Sequence, residues 1–372
     1  MGKIYRAYRF RIYPTPEQEQ QMARTFGCCR FIYNQMLSDK IREYKETGKM
    51  LKTTPAMYKG EFPWLKEVDS LALANVQLNL ETAYKKFFRE PSVGFPKFRS
   101  RHHSRASYTT NMVNGNIRLT GRRLKLPKMS PVRIIVHRPV PEDGKLRSVT
   151  VVREPSGRYH ASLLYELCGC ENQAAVRIRE EKVLGMDFAM AGLAVFSDGS
   201  RADYPMYYRK AEEKLAREQR KLSRCRRGSR NYGKQRRRVA RCHEKVRNQR
   251  MDFQNKLSFL LSEEYDAVCV EDLNMKGMSR GLHFGKSVMD NANGCFQRML
   301  EEKMVRKGKA YVRIDRYFPS SKRCSCCGKI KEELKLSDRV YECSCGYRGD
   351  RDINAAVNLR QEGIRILNQM DG

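Results

Sequence analysis

Near its end the chain sets Cys324 and Cys327 two residues apart and Cys343 and Cys345 one apart, and then runs into Asp350-Arg-Asp352-Ile-Asn354. A two-residue gap lets both thiolates of the first pair reach one tetrahedral zinc, and the tighter second pair supplies the remaining ligands. Cys326 is a spare thiol between them. Four cysteine ligands leave no open coordination position, so this metal serves folding and not hydrolysis. A small zinc-stapled insertion therefore sits directly beside an acidic helix start, whose carboxylate can bind a second, catalytic metal.

The partner class follows from charge. The 372 residues carry 74 Lys plus Arg against 42 Asp plus Glu, a net charge of +32. Such an excess favours a polyanion, because neutralised phosphates release counterions. Residues 207–250 hold 18 Lys/Arg against 4 Asp/Glu, nearly half of the net excess. With so few compensating acids, this run reads as a nucleic-acid-facing surface, with Arg226, Arg227, Arg236 and Arg237 as candidate contacts. No apolar run approaches the ~20 residues of a membrane span, so no membrane partner is expected. The 13 cysteines are mostly scattered singly, which suits a reducing cytoplasm with thiols kept free.

Residues 3–13 alternate basic and apolar and predict a strand. Thr15 and Pro16 then open a helical block that runs to about Phe88, interrupted at Gly48 and near Pro63. Its clearest segment repeats Leu73, Val76, Leu80, Ala83, Tyr84 and Phe87 at helical spacing, with Asn75, Gln77, Asn79, Lys85 and Lys86 on the other face. Residues 91–105 form a basic loop with interleaved aromatics, including Lys97 and Arg99. Short strands follow at 117–119, 123–126, 132–137, 148–153 and 159–164, which predicts a small antiparallel barrel that includes the opening strand. From Val183 the order is strand hairpin, two long helices, strand 267–271, helix near 287–306, strand from Ala310, and a final helix opened by Asp352. That is the order of an RNase H-type mixed α/β fold, broken only by the cysteine-rich insertion at 321–347. In the second long helix an apolar stripe of Tyr232, Val239, Cys242, Val246, Phe253, Leu257 and Leu260 predicts the buried face.

Three acids stand out. Asp187 lies in an apolar strand where an unpaired carboxylate is costly, Glu271 ends the run Val268-Cys-Val270, and Asp352 starts a helix. Arriving at one place, they can hold two divalent cations, Mg²⁺ or Mn²⁺ by oxygen-ligand preference, for phosphodiester hydrolysis. Each has a duller account: a buried Arg partner, a loop cap, or a helix dipole. Asp272 points the opposite way by strand alternation, Asp350 reads as a helix N-cap, and Asp198 belongs to a turn.

These residues resemble the TnpB family of transposon-encoded, RNA-guided DNA endonucleases related to type V CRISPR effectors. The resemblance spans nearly the whole chain: Tyr8–Pro14 with Phe26–Asn34, Gly185–Phe188, Val270–Asn274, Ser320–Gly328 and Asp350–Leu359. It implies that Asp187, Glu271 and Asp352 are the acids of a RuvC nuclease domain at 181–320 and 348–372, with a zinc ribbon at 321–347. It makes 1–14 and 106–180 a wedge barrel, and 15–105 a helical recognition insert in which the helix face around Asn75 and Gln77 reads a short motif beside the target. The implied partners are a guide RNA from the transposon end, double-stranded target DNA and a separately encoded transposase. Two departures are visible: Phe-Ala-Met follows Asp187 where a glycine is common, and Cys343-Ser-Cys345 is one residue short. Some relatives have lost the acids and act as guided DNA-binding regulators without cleavage; here all three acids are present.

Overall fold

A computed structural model describes residues 3–168, 176–189, 192–273, 290–334 and 338–370. Cys170, Met190, Asn274 and the start of the helix expected near 287–306 lie outside the described residues. The chain divides into two compact units, residues 1–169 and 170–372.

In the N-terminal unit, strand β1 (Lys3–Tyr13) leads into helix α1 (Pro16–Thr47). Thr15 Oγ1 accepts from the Gln18 amide, and the Gln18 side chain accepts in return from the Thr15 amide, a reciprocal cap. The helix stops at Gly48, whose φ of 68° only a glycine adopts freely. Two 3₁₀ turns follow, then α2 (Ser70–Arg89), capped by Asp69. Leu73, Val76, Leu80 and Tyr84 of α2 are buried against α1 and the sheet.

That sheet holds β1, β2 (Ala106–Asn111), β3 (Arg118–Thr120), β4 (Arg123–Lys125), β5 (Val132–Ile135), β6 (Lys145–Arg153) and β7 (Tyr159–Cys168). Its order is β2-β6-β7-β1-β5-β4-β3, with every pairing antiparallel. The opening strand is thus threaded between β7 and β5, far from its neighbours in sequence. Strand β2 is not among the strands expected from the sequence. Its inward positions, Tyr108 and Thr110, include a hydroxyl, so the apolar alternation is weak although both residues are buried.

In the C-terminal unit, β8 (Val183–Asp187) and β9 (Val195–Phe196) form a hairpin. Then come α3 (Tyr207–Ser223), α4 (Arg230–Glu264), β10 (Ala267–Glu271), α5 (Asn293–Arg306), β11 (Ala310–Ile314), the ribbon strands β12 (Val340–Glu342) and β13 (Arg348–Asp350), and α6 (Arg351–Met370). The main sheet runs β11-β10-β8-β9, parallel across β11, β10 and β8. Both faces are covered, which is why β8 and β10 are apolar throughout instead of alternating. Leu184, Met186, Val268 and Val270 meet Leu261 of α4 and Phe296, Leu300 and Met304 of α5. Val183, Ala267, Cys269, Val312 and Ile314 meet Leu359 and Leu367 of α6. On α4 the stripe expected from the sequence is offset at its end: Leu261 is buried and Leu260 faces solvent.

Helix α6 approaches the sheet through two glycines. A Cβ on Gly185 would sit 1.9 Å from the Ala356 carbonyl oxygen, and one on Gly363 would sit 2.0 Å from Cys269 Sγ. Gly185→Ala is therefore expected to cost ~3 kcal/mol or more, since backbone, not a side-chain tip, blocks the methyl. Gly233→Ala, in open space inside α4, is expected to be neutral or to stabilise by up to ~1 kcal/mol. Urea unfolding midpoints of the two variants test the contrast.

Candidate functional site

Strand parity decides where the acids point. Met186 and Val270 are register partners and both face α4 and α5. The next residues on each strand, Asp187 and Glu271, therefore lie side by side at the strand ends on the face that α6 covers. Gly185, two residues before Asp187, touches Ala356 of α6, four residues after Asp352. Two strand residues span ~6.6 Å and four helix residues ~6 Å, so that contact carries Asp352 to the level of Asp187.

All three acids line one cleft of about 1100 Å³. Burial pushes the Asp187 carboxyl up to about 7, and the charges of Asp352 and Glu271 push it the same way. The Phe188 amide and Arg351 oppose this without reversing it. Burial, and then Asp272, raises the Glu271 carboxyl as well. Burial first, and neighbouring acids second, disfavour the charged forms of Asp187 and Glu271, the condition under which carboxylates take up a proton or a cation.

The neighbouring acids are occupied elsewhere. Asp350 accepts from the amides of Asp352 and Ile353 at 2.9 and 3.1 Å, the N-cap role expected of it, and meets Arg201 at 2.8 Å. Asp272 pairs with Arg316 at 2.6 Å. Asp198 accepts from Ser200 within its turn and from the Tyr265 hydroxyl at the end of α4. The cleft also includes Arg201, Asp203, Tyr204, Tyr317, Lys322, Arg339 and Arg351, none singled out in the sequence. Of these, Arg351 and Lys322 could have been found, because they stand inside the two motifs that frame the insertion.

Among the described residues, the one group of Cys, His, Asp or Glu ligand atoms gathered within 4.8 Å of one another is Cys324, Cys327, Cys343 and Cys345. The three acids share their cleft at wider spacing. The sulfur pairs Cys324–Cys345 and Cys327–Cys343 lie 3.7 and 3.6 Å apart. A tetrahedron with Zn–S bonds of ~2.3 Å has edges of about 3.8 Å, so the thiols fit zinc as they stand. The short Cys343-Ser-Cys345 spacing does not prevent this. Gly328 and Gly346, each just past its cysteine pair, take φ of 77° and 91°, and their amides return to the Cys324 and Cys343 carbonyls at 2.9 and 3.0 Å. Cys326 is exposed and stands outside the group.

Helix α6 grips this cysteine loop with buried amides. Asn354 donates to the Arg323 carbonyl at 2.7 Å and accepts from the Ser325 amide at 2.9 Å. Asn358 donates to the Ser320 and Arg323 carbonyls at 2.8 and 2.6 Å. The loop that bears the first thiol is thus tied to the helix that bears Asp352.

The candidate nucleic-acid contacts fall in several places. Lys85, Lys86 and Lys97 are exposed, as are Arg226, Arg227, Arg236 and Arg237 near the α3–α4 turn and on α4. Arg99 is held in place: Asn34 clamps its amide and carbonyl at 2.8 and 2.9 Å, and its guanidinium lies 3.7 Å over the Tyr33 ring. Asn75, Asn79, Arg99 and Arg105 line a second cleft of about 470 Å³. Gln77 does not join them; it donates to Glu81 on its own helix at 2.8 Å.

Comparison with known proteins gives a consistent result. A family model described as a probable transposase matches residues 169–281, and one described as a Cas12f1-like TNB domain matches residues 294–359. A helix-turn-helix domain model matches residues 1–49, which here fold as β1 and one uninterrupted helix. A putative RNA-guided DNA endonuclease from Streptomyces pristinaespiralis is 35% identical, covering 100% of this chain and 92% of its own. The putative RNA-guided DNA endonuclease InsQ of Escherichia coli K12 is 28% identical over 98% and 94%. Among solved structures, Cas12f1 in its complex with sgRNA and target DNA aligns over 96% of this chain and 99% of its own, with a TM-score of 0.57 at 13% identity. That likeness shows a shared fold.

Two predictions follow from the electrostatics and the thiol cluster. The folded-state pKa of Asp187 is raised, so its ionisation destabilises the protein increasingly as pH climbs from ~4 towards 7. In Mg²⁺-free buffer with zinc in place, Asp187→Asn should be more stable than wild type at pH 8 by about 2–4 kcal/mol. The gap should close near pH 4, as thermal unfolding will report. Cys324→Ser should lose bound zinc and most soluble yield before any other property changes; stable, zinc-free and fully active protein would contradict a structural zinc.

Proposed function

The chain belongs to the OrfB/TnpB family, and on that footing we propose that it is an RNA-guided, divalent-metal-dependent endonuclease. It cuts double-stranded DNA beside a short transposon-adjacent motif, guided by an RNA from the transposon end. The observation that carries this reading is the convergence of Asp187, Glu271 and Asp352 on one cleft, where the latter two charges add to the burial that raises the first.

In this reading the C-terminal unit is a RuvC-type nuclease of the RNase H class. The support is its sheet order, an antiparallel hairpin followed by two parallel strands with helices on both faces. Residues 321–347 are its zinc ribbon. The N-terminal sheet is the wedge barrel, and residues 15–105 are the recognition insert. The motif reading expected of the helix face around Asn75 and Gln77 is assigned to the second cleft, where Asn75 lies with Asn79, Arg99 and Arg105 and which Gln77 does not line. The printed descriptions of the relatives and of the Cas12f1 complex support RNA and DNA as partners. Strand joining falls to a separately encoded transposase.

Asp187, Glu271 and Asp352 would hold two Mg²⁺ or Mn²⁺ ions. Three acids lining one cleft offer enough oxygens for two ions ~3.5–4 Å apart. Bound there, the ions supply an activated water and charge for the leaving oxygen of an in-line displacement. The protein's own part is to hold the acids on strand ends and a helix start fixed by close packing. Arg201, Lys322, Arg339 and Arg351, also in the cleft, offer charge to the phosphates of an entering strand.

The test is cleavage of a matched duplex by the purified protein–RNA complex in Mg²⁺. Asp187→Ala, Glu271→Ala and Asp352→Ala should each lower the rate at least ~10²-fold while leaving RNA and DNA binding intact. If Asp187→Ala and wild type behave alike, the guided regulator without cleavage is the better account.

A further inference from the structure

At the C-terminal end of α2 the N-terminal unit leaves an aromatic surface uncovered. Phe88 is 70% exposed and Phe95 43%. These are not isolated rings. Phe88 stacks on Tyr84 with centroids 6.3 Å apart at 22°, and meets Phe87 at 5.2 Å. Phe95 closes the group, edge-on to Tyr84 and Phe87 at 5.6 and 5.3 Å. Tyr84 is buried and anchors the set to the core. Beside the rings a shallow groove of about 580 Å³ is lined by Thr82, Lys85, Lys86, Phe88 and Arg89. Lys85, Lys86 and Lys97 are exposed and form no ion pair among the described residues.

Clustered exposed aromatic rings are a liability unless something covers them. Pre-assembled rings flanked by cations match the two needs of unpaired nucleotides, a flat π-face for the base and positive charge for the backbone. Bases inside a duplex are already stacked and cannot use such a face. A second copy of the chain is disfavoured by symmetry, because a two-fold contact would set the same lysines against one another. Between single strands, an RNA that stays bound covers the rings throughout the protein's life, whereas a displaced DNA strand is present only during turnover.

We propose that the Phe87–Phe88–Phe95 surface, with Lys85, Lys86 and Lys97, is a stacking platform for a single-stranded stretch of the bound RNA. The proposal rests on the RNA-guided reading above and adds to it a site and a strand state. Phe88 supplies the open face, and its stacking on Tyr84 holds that face in place before RNA arrives, so little ordering entropy is lost on binding.

Fluorescence anisotropy of the full-length protein with a labelled twelve-nucleotide uridine RNA tests this, with its RNA duplex and a thymidine DNA of equal length alongside. Phe88→Ala should weaken single-stranded RNA binding at least tenfold, leave duplex binding unchanged, and keep the dependence on salt. Phe88→Tyr should bind like wild type. Lys85→Ala with Lys86→Ala should instead flatten the salt dependence, by about 0.7 in slope for each lost phosphate contact. The platform is overturned if Phe88→Ala binds the RNA like wild type, if its loss is larger for the DNA strand, or if light scattering shows a wild-type dimer that Phe88→Ala abolishes. Wild-type protein that binds no RNA would defeat the guided reading itself. Wild-type binding with an indifferent Phe88→Ala defeats the platform alone.

Discussion

The close seating of α6 on the central sheet is the contact on which the rest of the C-terminal unit depends. With no side chain at Gly185, the backbone of α6 comes within reach of β8, and Gly363 does the same over Cys269. Nothing larger than hydrogen fits at either point. Because strand parity turns Asp187 and Glu271 to the same face, the seating also sets the height of Asp352 above them. A backbone packing constraint thereby decides whether three like charges share a cleft. Burial is the larger cost and their mutual repulsion adds to it, and both raise the Asp187 carboxyl.

The cysteine loop is part of this arrangement. Two pairs of its thiols stand at the edge length of a zinc tetrahedron, yet among the described residues the loop has few buried apolar side chains beyond Tyr341. Asn354 and Asn358, both fully buried on α6, supply the hydrogen bonds that a hydrophobic core would otherwise replace. Buried amides with fixed partners specify one geometry where apolar contacts tolerate several. The family motif around Asp352 therefore carries two tasks on one helix. Asp352 faces the cleft, and the asparagines that follow hold the loop.

Charge is divided between the tasks as well. The excess of cations is spread over exposed helices and loops, while Asp187, Glu271 and Asp352 share one cleft with Arg201, Lys322, Arg339 and Arg351. A uniformly basic surface would attract polyanions but could not gather divalent ions. A uniformly acidic one would gather cations but repel a polyanion. The fold sets the carboxylates at strand ends and a helix start, with four cations in the same cleft, and leaves other Lys and Arg on solvated helix faces.

Much of this was legible in the residues alone. The strand at 3–13, the Thr15 cap, the Gly48 stop, strands β8, β10 and β11 and the N-cap role of Asp350 all follow from local periodicity and turn chemistry. The four thiols were legible from spacing, since ligands a few residues apart have little freedom to separate. Local signals fail where partners are distant. Strand β2 was missed because its buried Thr110 looks polar, and the end of the α4 stripe slipped by one residue because Leu260 and Leu261 are equally apolar. Gln77 was grouped with Asn75 by helix face, whereas Glu81, one turn away, holds it. The sequence determined which residue types could bind metal and which segments could be strands or helices, because those are matters of spacing along one chain. Only the tertiary structure decided that Asp187, Glu271 and Asp352 meet, that Arg351 and Lys322 line the same cleft, and that Asn79 and Arg105 line the other. Such meetings depend on how closely a helix can approach a sheet, and that distance is set by residues far apart in the sequence, Gly185 against Ala356 and Gly363 against Cys269.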